Sequence, residues 1–527
     1  MKPDRKDLAP GLSISRILTG LWQVADQEKD GVTLDPVAGA KALADYSREG
    51  FDTFDMADHY GTSELITGEL LRSWQGGDRP RAFTKWCPEP GPMTPEIVRA
   101  GVQERLDRLG VKRVDLLQFH WWTFEHPAWL DALHEMKRLR QEGLIGEIGV
   151  TNFDAAHLDL ALAEGIPLVS NQVSFSLIDR RAAGHLAEIC KKHGVHLLAY
   201  GTLCGGFLSE RWIGKPEPEA VKDWSGSKYL RFIQAAGGWN GYQGILKAAD
   251  EIARKHGVSI SNVATRWVLE HAHVAGVIVG ARLGENQHRA DNLRLFQFEL
   301  DADDHDRLDQ AFAATRMIPG DCGDEYRQPP FLTASGDLSH HLSEMPSAMQ
   351  AVTDPDNPDR ARVFSGSLWE PIVDYCRALR DGDKIVVSGT TATHGVDRTV
   401  ALDDAGAQTT YILDKIAASV RALGGDPKDI LRTRMYLRGE EDIEAAARAH
   451  GLRFTTNPAD QHHVSGGQPD RRFPRGDRGR GRRQPQAGLA AIRLRSRAGP
   501  AGDRRQPKGP GTMAFRCRTA ASGTESG

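Results

Sequence analysis

The chain has 527 residues, of which 40% are hydrophobic and 26% charged, and its formal net charge at pH 7 is −4. This length exceeds one ordinary domain, and the apolar fraction is sufficient for a large core. No stretch of about 18 or more apolar residues occurs, and the polar N-terminal segment 1–15 lacks an apolar centre. We therefore expect neither a transmembrane helix nor a secretory signal.

The six cysteines are scattered along the chain. They are Cys87, Cys190, Cys204, Cys322, Cys376 and Cys517. None forms a Cys-x-x-Cys pair, so the spacing predicts neither a zinc site nor a disulfide framework. We therefore expect no bound metal, and a reducing, cytoplasmic environment is the simplest interpretation.

Residues 1–318 alternate short apolar runs with longer amphipathic segments. The runs are ILTGLW (17–22), TFDMA (53–57), AFTKW (82–86), VDLLQFH (114–120), IGEIGVTNF (145–153), LVSNQV (168–173), VHLLAY (195–200) and VAGVIVG (274–280). Several intervening segments have helical apolar spacing and end in glycine, a common helix stop. Eight strands alternating with helices predict an α/β protein with a (β/α)8 TIM barrel. An open doubly wound sheet is the alternative, but no GxGxxG follows the first run.

Ionisable side chains stand at the ends of three successive predicted strands. Asp55 and Tyr60 follow the second run, Lys85 ends the third and His120 ends the fourth. The carboxyl ends of barrel strands meet on one face, where active sites lie. Carbonyl reduction by a nicotinamide needs an acid for the carbonyl oxygen and groups that stabilise developing charge, and these four residues can supply them.

Each of these residues also has a purely structural interpretation. Asp55 can cap the following helix, Tyr60 can be a loop aromatic, Lys85 an exposed strand-end charge and His120 a hydrogen-bonded core histidine. The chance occurrence of all four types at matching strand ends is small, so the combination favours a shared catalytic site.

Residues 14–318 resemble the aldo-keto reductase family, in which an Asp, a Tyr, a Lys and a His form a catalytic tetrad. The resemblance implies that Tyr60 is the general acid and that Lys85, paired with Asp55, makes this phenol more acidic. It implies that His120 orients and polarises the carbonyl group. No residue of the tetrad departs from the family pattern.

The same resemblance implies a dinucleotide site. Asn152 and Thr151 in GVTNF, with Gln172, would bind the nicotinamide carboxamide, and Tyr200 would stack on the ring. Arg282 would pair with a 2′-phosphate, which favours NADPH over NADH; the alternative is a surface arginine at a helix start. The implied cofactor residues are Gly20, Trp22, Asp55, Thr151, Asn152, Gln172, Tyr200, Gly201, Thr202, Leu203, Gly280, Arg282, Asp291 and Asn292. Gly201 departs from the family, which usually has Ser or Thr there.

The substrate pocket is expected to consist of loops. Four tryptophans lie at or just beyond strand ends and would either line an apolar pocket or belong to the core. They are Trp22, Trp86, Trp121 and Trp122. Segment 204–244 is long for a βα loop and is interpreted as a lid or pocket wall. The substrate is expected to be a small-molecule carbonyl compound, which the resemblance does not specify further.

A second domain is predicted after a linker. Residues 319–358 are rich in Pro, Asp, Ser and Gly without sustained periodicity, which indicates the linker. Residues 359–456 then alternate strand and helix patterns. VSGTTA (387–392), the helix AQTTYILDKIAASVRALGG and the strand DILRTRMYL resemble the reactive-intermediate deaminase (Rid/YjgF) family. The resemblance implies a smaller α+β domain of the chorismate-mutase-like type.

Members of that family are trimers with ligand clefts between subunits, and active members hydrolyse imines with an arginine in a late strand. In this chain the regular pattern ends before that position. The resemblance therefore implies an incomplete domain without imine deaminase activity, and a homo-oligomer only if this domain folds. Missing strands would also leave an unpaired sheet edge.

Residues 457–527 have a composition unlike that of a folded domain. From Pro458 onward there are 15 basic and 5 acidic residues, so this segment carries +10 and the rest of the chain −14. A nucleic-acid-binding arm and a solvated, disordered tail both fit, and the scarcity of aromatic residues favours the tail. Back-translation from Asp460 in a frame offset by one nucleotide yields an amphipathic strand–turn–strand sequence. We therefore predict a disordered, frame-shifted tail, with no nucleic-acid or membrane partner.

Three functions remain open at this point. The first is an NADPH-dependent carbonyl reductase. The second is a binding module that senses the redox state of the nicotinamide. The third is a scaffold, in which the second domain would assemble the barrels into trimers. The complete set of four catalytic residues favours the reductase, because a sensor does not need to keep them.

Overall fold

The computed structural model describes residues 2–28, 33–221, 224–283, 288–327 and 346–454, and the backbone of three short strands further on. The chain divides into two compact units. The first comprises Met1–Thr123, Ala128–Leu158 and Ile166–Met345, and the second Phe124–Pro127, Asp159–Gly165 and Pro346–Gly527. In the described part of the chain, no helix is both long and apolar enough to cross a bilayer.

The first unit begins with an antiparallel hairpin, β1 (Arg5–Ala9) and β2 (Leu12–Ser15), which the sequence analysis did not identify. Its apolar side chains belong to one buried cluster with residues of the following strands. The members are Leu8, Ala9, Leu12, Ile14, Leu18, Phe83, Leu116, Leu198 and Ala275. The later members lie near the starts of their strands, so the hairpin covers the amino-terminal end of the sheet and leaves the carboxyl-terminal end open.

Within the described ranges, eight parallel strands form a closed barrel in the order β10-β3-β4-β5-β6-β7-β8-β9. They are β3 (Ile17–Gly20), β4 (Thr53–Asp55), β5 (Arg81–Trp86), β6 (Val114–His120), β7 (Ile145–Thr151), β8 (Leu168–Ser174), β9 (His196–Tyr200) and β10 (Val274–Gly280). Each strand falls within or largely overlaps one of the eight apolar runs. The predicted TIM barrel is confirmed. The apolar runs identified its strands because a strand that is buried on both faces needs a continuous apolar sequence.

Helices surround the barrel. They are α1 (Trp22–Glu28), α2 (Pro36–Arg48), α3 (Ser63–Ser73), α4 (Pro95–Leu109), α5 (Trp129–Gln141), α6 (Ala155–Ala163), α7 (His185–His193), α8 (Trp224–Ala235), α9 (Trp239–His256), α10 (Ile260–Leu269), α11 (Arg289–Leu293) and α12 (Ala302–Ala313). Local signals define several ends. The side chains of Asp35 and Thr94 accept hydrogen bonds from the first turns of α2 and α4, and Gly110 and Gly194 end α4 and α7.

The long segment after β9 is mostly helical rather than an irregular loop. It contains two single 3-10 turns, Cys204–Gly206 and Glu210–Trp212, then all of α8 and the start of α9. Another short 3-10 turn, Asp324–Tyr326, lies in the stretch that the composition assigns to the linker, and it belongs to the first unit. Residues 328–345 of that stretch lie outside the described residues.

The second unit contains small antiparallel sheets and helices. Its strands are β11 (Ala351–Asp354), β12 (Asn357–Val363), β13 (Ala378–Asp381), β14 (Lys384–Val387), β15 (Thr390–Thr391), β16 (Thr393–His394), β17 (Arg398–Thr399) and β18 (Thr433–Tyr436). Its helices are α13 (Trp369–Val373), α14 (Ala405–Ala422) and α15 (Ile443–Phe454). The predicted helix AQTTYILDKIAASVRALGG corresponds to α14. Strand β11 and the start of β12 fall within the stretch predicted as a linker. They were not predicted because this stretch has few apolar positions and because β12 pairs with a strand that comes later in the chain.

Three short segments of the arginine-rich tail are described as strands. They are β19 (Gly488–Leu489), β20 (Ile492–Arg493) and β21 (Met513–Phe515). Strand β20 pairs with β14, β19 pairs with both β15 and β18, and β21 pairs with β18. The other residues of the predicted disordered tail, and the position of the missing deaminase arginine, lie outside the described residues.

Candidate active site

The carboxyl ends of the barrel strands surround a cavity of about 470 Å³. Fifteen of the predicted catalytic and cofactor residues line it. They are Gly20, Trp22, Asp55, Tyr60, Lys85, His120, Thr151, Asn152, Gln172, Tyr200, Gly201, Thr202, Leu203, Gly280 and Arg282. Residues that are more than 200 positions apart in the chain thus share one site, because parallel strands of a barrel all point the same way.

Asp291 and Asn292 are not part of the cavity lining. Both lie on the short helix α11, where the Asp291 carboxylate accepts a hydrogen bond of 2.9 Å from the Ser259 hydroxyl. Residues 284–287, which lie between the predicted cofactor residues Arg282 and Asp291, are outside the described residues.

A buried ion pair forms the floor of the cavity. The Lys85 ammonium lies 2.7 Å from one Asp55 carboxylate oxygen and donates to the Met56 carbonyl at 2.9 Å. Both charged side chains are almost fully buried, so their attraction is weakly screened. The Lys85 nitrogen also lies 4.8 Å from the centre of the Tyr60 ring. Asp55, Lys85 and Tyr60 therefore form one contact group, as the predicted tetrad requires.

The second Asp55 oxygen is held by two amides. Gln172 donates to it at 2.7 Å and Gln118 at 3.0 Å, and the Gln172 amide also donates to the Gln118 carbonyl oxygen at 2.9 Å. Gln118 was not identified from the sequence. It stands two residues before His120 on β6, and because strand side chains alternate with a period of two, it shares the face of His120.

His120 presents an unpartnered nitrogen. Its side chain is buried, its Nδ1 lies 3.7 Å from the Cys87 sulfur, and its Nε2 has no hydrogen-bond partner in the described ranges. Burial, together with the nearby charges of Arg327 and Lys85, holds the pKa of His120 well below its ordinary value. The imidazole is therefore neutral near pH 7, and in the tautomer protonated at Nε2 it can donate a hydrogen bond.

Neighbouring groups orient the loop that carries Tyr60. The Tyr60 ring packs edge-on against Trp22 and His59, with centroids 5.0 and 4.8 Å apart. Burial opposes ionisation of Asp58, but hydrogen bonds from His59 and from the Cys87 backbone outweigh it and lower the pKa of Asp58 to about 2. The side chains of Asp58, His59 and Cys87 are of types that can bind a metal ion, and their ligand atoms lie within 4.8 Å of one another. The Asp58 carboxylate and the His59 imidazole, however, are hydrogen-bonded to each other.

Burial distinguishes the tryptophans that line the pocket from those that belong to the core. Trp22 lines the cavity, whereas Trp86, Trp121 and Trp122 are buried in the core and do not line it. Trp122 packs behind the His120 ring, with centroids 4.3 Å apart. The pocket is therefore less aromatic than the four positions at strand ends indicate.

Asn152 has an uncommon backbone conformation. Its φ is +57°, a region that residues other than glycine rarely adopt. The strain is held by the Asn152 backbone N–H, which donates to the Gln172 carbonyl, and by its side-chain oxygen, which accepts from the Tyr200 hydroxyl at 2.9 Å. Two predicted cofactor residues, Asn152 and Tyr200, are thus bonded to each other.

Gly201 departs from the family pattern for a reason visible in the packing. Its φ is +72°, and a methyl group at this position would collide with the Tyr229 hydroxyl. Tyr229 comes from α8, in the segment predicted as a pocket wall, and lines the same cavity. The tyrosine therefore occupies the space that a serine or threonine side chain at position 201 would need.

We predict that Gly201→Ala destabilises the protein by about 1–3 kcal/mol more than Gly194→Ala, because it adds overpacking to the cost of a positive φ. Gly194 is a matched control, with φ +70° and no atom within 4 Å of the added methyl group. Urea denaturation of both variants measures the difference. Equal stability losses would show that Tyr229 moves aside freely.

Other cavity residues escaped the sequence analysis. Arg211, Lys228 and Tyr229 come from segment 204–244, and Tyr326 from the short turn after α12. The length of segment 204–244 predicted a pocket wall, but no local pattern distinguished these side chains from others in it.

Known protein families match both parts of the chain. The model of the aldo/keto reductase family matches residues 16–313, and that of the endoribonuclease L-PSP family, which corresponds to the Rid/YjgF resemblance, matches 367–465. Chloroplastic pyridoxal reductase of Arabidopsis thaliana is 27% identical over 320 residues, covering 57% of this chain and 84% of the relative.

Two further similarities cover the same region. An NADH-specific methylglyoxal reductase of Escherichia coli is 24% identical over 307 residues, covering 52% of this chain and 88% of the relative. The structure of a glycerol dehydrogenase from Gluconobacter oxydans covers 57% of this chain and 92% of its own, with 24% identity and a TM-score of 0.48.

Proposed function

Because the chain belongs to the aldo/keto reductase family and is thus an oxidoreductase of the carbonyl–alcohol type, we propose that it reduces an aldehyde or ketone with NADPH. The observation that carries the proposal is the contact group of Asp55, Lys85 and Tyr60, with the neutral His120, in one cavity.

The residues of the cavity fit a nicotinamide dinucleotide. The hydroxyls of Thr151 and Thr202 are buried in the cavity wall and, within the described ranges, have no hydrogen-bond partner, which is costly unless a ligand bonds to them. Asn152 and Tyr200 would hold the nicotinamide, and the backbone of residues 201–203 would follow the pyrophosphate. When bound, the dinucleotide supplies the hydride.

The side chains would then carry the proton chemistry. Tyr60 would donate its phenolic proton to the carbonyl oxygen of the substrate, which leaves a phenolate on Tyr60. The Lys85 ammonium beside the Tyr60 ring stabilises that phenolate, and Asp55 holds the ammonium in place. His120 donates a hydrogen bond from Nε2 to the same carbonyl oxygen and orients it.

The preference for NADPH rests on Arg282. This side chain lines the cavity directly after β10, in the segment that would meet the adenosine ribose. A guanidinium can bind a 2′-phosphate with two charge-assisted hydrogen bonds, whereas NADH offers only a hydroxyl there. The choice between NADPH and NADH needs a direct test, because the E. coli relative is named as NADH-specific.

We predict that Arg282→Met lowers kcat/KM for NADPH by about 10–100-fold and leaves that for NADH nearly unchanged, which corresponds to one lost charge-assisted contact. Loss of NADPH or NADH absorbance with one aldehyde measures both values. Arg307→Met is the control, because Arg307 is a half-exposed arginine of α12 that pairs with Glu251 and does not line the cavity. An equal loss with both cofactors would contradict the assignment.

The reductase itself is tested with the purified full chain, NADPH and a panel of aldehydes and ketones. The expected result is NADPH consumption matched by alcohol formation. Tight NADPH binding without turnover across the panel would instead favour a barrel that binds the nicotinamide and reports its redox state.

A further inference from the structure

A buried amide outside the predicted site contacts both the predicted tetrad and the predicted nicotinamide site. Gln118 lies on β6, two residues before His120, and it is fully buried. Within the described ranges, its side-chain hydrogen bonds go to Asp55, a member of the tetrad, and to Gln172, which would bind the nicotinamide. Gln118 therefore connects the group that would supply the proton with the group that would hold the cofactor.

These three polar side chains lie where barrels usually have apolar ones. Asp55, Gln118 and Gln172 come from β4, β6 and β8, which are alternate strands of the closed barrel. Alternate strands contribute side chains to one layer of a barrel interior, and such layers consist mostly of branched apolar residues. Burying a polar side chain costs free energy unless it is hydrogen-bonded, so a polar layer at the floor of the cavity indicates a role other than packing.

The hydrogen bonds fix the orientation of both amides. A carboxylate oxygen can only accept, so the amides of Gln118 and Gln172, at 3.0 and 2.7 Å from the same Asp55 oxygen, must both turn their nitrogens towards it. The second hydrogen of the Gln172 amide goes to the Gln118 carbonyl oxygen at 2.9 Å. Because Gln172 lines the cavity and both its amide hydrogens are used inside the barrel, its carbonyl oxygen is the atom that remains for a ligand.

The same bonds orient the Asp55 carboxylate. The oxygen that accepts from the two amides is not the one that contacts the Lys85 ammonium, so the carboxylate is held at both ends. Lys85 is the register partner of Gln118 on β5, and Gly149 is its register partner on β7. A methyl group at position 149 would lie 3.3 Å from the Gln118 side chain, so the glycine leaves the room that this amide occupies.

We propose that Gln118 is a positioning residue of the reductase. It holds the Asp55 carboxylate in the orientation that keeps the Lys85 ammonium in place. It also turns the Gln172 amide so that the amide oxygen accepts a hydrogen bond from the carboxamide of the nicotinamide. This inference rests on the proposed reductase function and adds to it a residue outside the predicted catalytic and cofactor sets.

Replacing the amide by a carboxyl group tests the contact with Asp55 through its pH dependence. In Gln118→Glu, a protonated carboxyl group can still donate to Asp55, whereas an ionised one places a second negative charge beside it. Two carboxyl groups in contact retain one proton to a higher pH than isolated ones do. In the described part of the chain, the other titratable side chains around this pair are Lys85, Tyr60 and the neutral His120.

We expect kcat/KM of Gln118→Glu, with NADPH and one aldehyde, to be at least about tenfold below that of the wild type near pH 8 and within about threefold of it near pH 5. The shared proton is present at the lower pH and lost at the higher one. Gln103→Glu is the matched control, because Gln103 also donates to an aspartate, Asp107 at 2.8 Å, but on the exposed face of α4. A ratio of Gln118→Glu to wild type that does not change with pH would overturn the proposal.

A binding measurement tests the contact with Gln172. Gln118→Met removes both hydrogen bonds at similar volume and is expected to weaken NADP⁺ binding by about fivefold or more, which corresponds to one lost hydrogen bond. The affinity for 2′-phospho-ADP-ribose, which lacks the nicotinamide, is expected to stay at the wild-type value, which also verifies that the variant folds. Calorimetric titration of the full chain measures both. Unchanged NADP⁺ affinity, or an equal loss for both ligands, would overturn the proposal.

Failure of this inference and failure of the proposed function give different results. If the chain is not a reductase, the wild type itself gives no turnover. If Gln118 has no positioning role, wild-type turnover remains and only the expected differences between variants and wild type are absent. The comparison of NADP⁺ with 2′-phospho-ADP-ribose needs no turnover, so it tests the role of Gln118 even in a barrel that only binds the nicotinamide.

Discussion

Replacing Tyr60 by phenylalanine is expected to lower kcat/KM for carbonyl reduction by about 10²–10⁴-fold, the usual contribution of a general acid. NADPH binding is expected to stay close to wild type, because the ring contacts of Tyr60 with Trp22 and His59 do not use the hydroxyl. The loss is therefore expected in kcat as well as in kcat/KM, since the proton is needed only in the transition state.

The measurement compares NADPH consumption with NADPH binding, followed by nucleotide fluorescence, in the same preparation. Tyr242→Phe is the matched control: it also removes a phenolic hydroxyl, one that is buried and donates to the Phe207 carbonyl at 2.7 Å, but Tyr242 lies outside the cavity lining. It is expected to cost about 1 kcal/mol of stability and little activity. Undiminished turnover in Tyr60→Phe would mean that another group supplies the proton.

Arg181→Met is expected to destabilise the barrel by about 3–5 kcal/mol, because it leaves two carboxylates buried without their counter-ion. The guanidinium binds Asp179 through two hydrogen bonds of 2.8 and 2.7 Å and lies 2.9 Å from Glu325. All three side chains are no more than 2% exposed. Burial opposes its charge, but the two carboxylates hold the pKa of Arg181 above its ordinary value.

Urea denaturation, with Arg138→Met as control, tests this prediction. Arg138 also pairs with two carboxylates, Glu135 and Glu142, but its side chain is 47% exposed, so its loss is expected to cost much less stability than the loss of Arg181. Similar stability losses in the two variants would contradict the role given to burial.

Much of the barrel was predictable because its determinants are local. A strand that is buried on both faces needs a continuous apolar run, and helix ends need a capping residue such as Asp35 or a terminal glycine such as Gly194. Asp55, Lys85 and His120 could be grouped for the same reason, since the end of a barrel strand defines the cavity side.

The other parts of the site depend on contacts between distant segments. Lys228 and Tyr326 are 98 residues apart, and Gln172 and Asp55 117, so no periodicity relates them. Position 201 shows the same effect, because its departure from the family pattern is explained by the Tyr229 hydroxyl, which occupies the space that a side chain at position 201 would need. Trp121 and Trp122 follow a strand end as a pocket residue would, yet both pack in the core.

By itself, the sequence determined the strand and helix succession, the closed barrel and the group of four ionisable residues at its mouth, because side-chain alternation and strand polarity are properties of neighbouring residues. Only the tertiary structure decided which side chains from the long segment after β9 and from the turn after α12 face the cavity. Their positions follow from packing and buried ion pairs, such as that of Arg181 with Glu325, whose partners are brought together by folding and not by spacing in the chain.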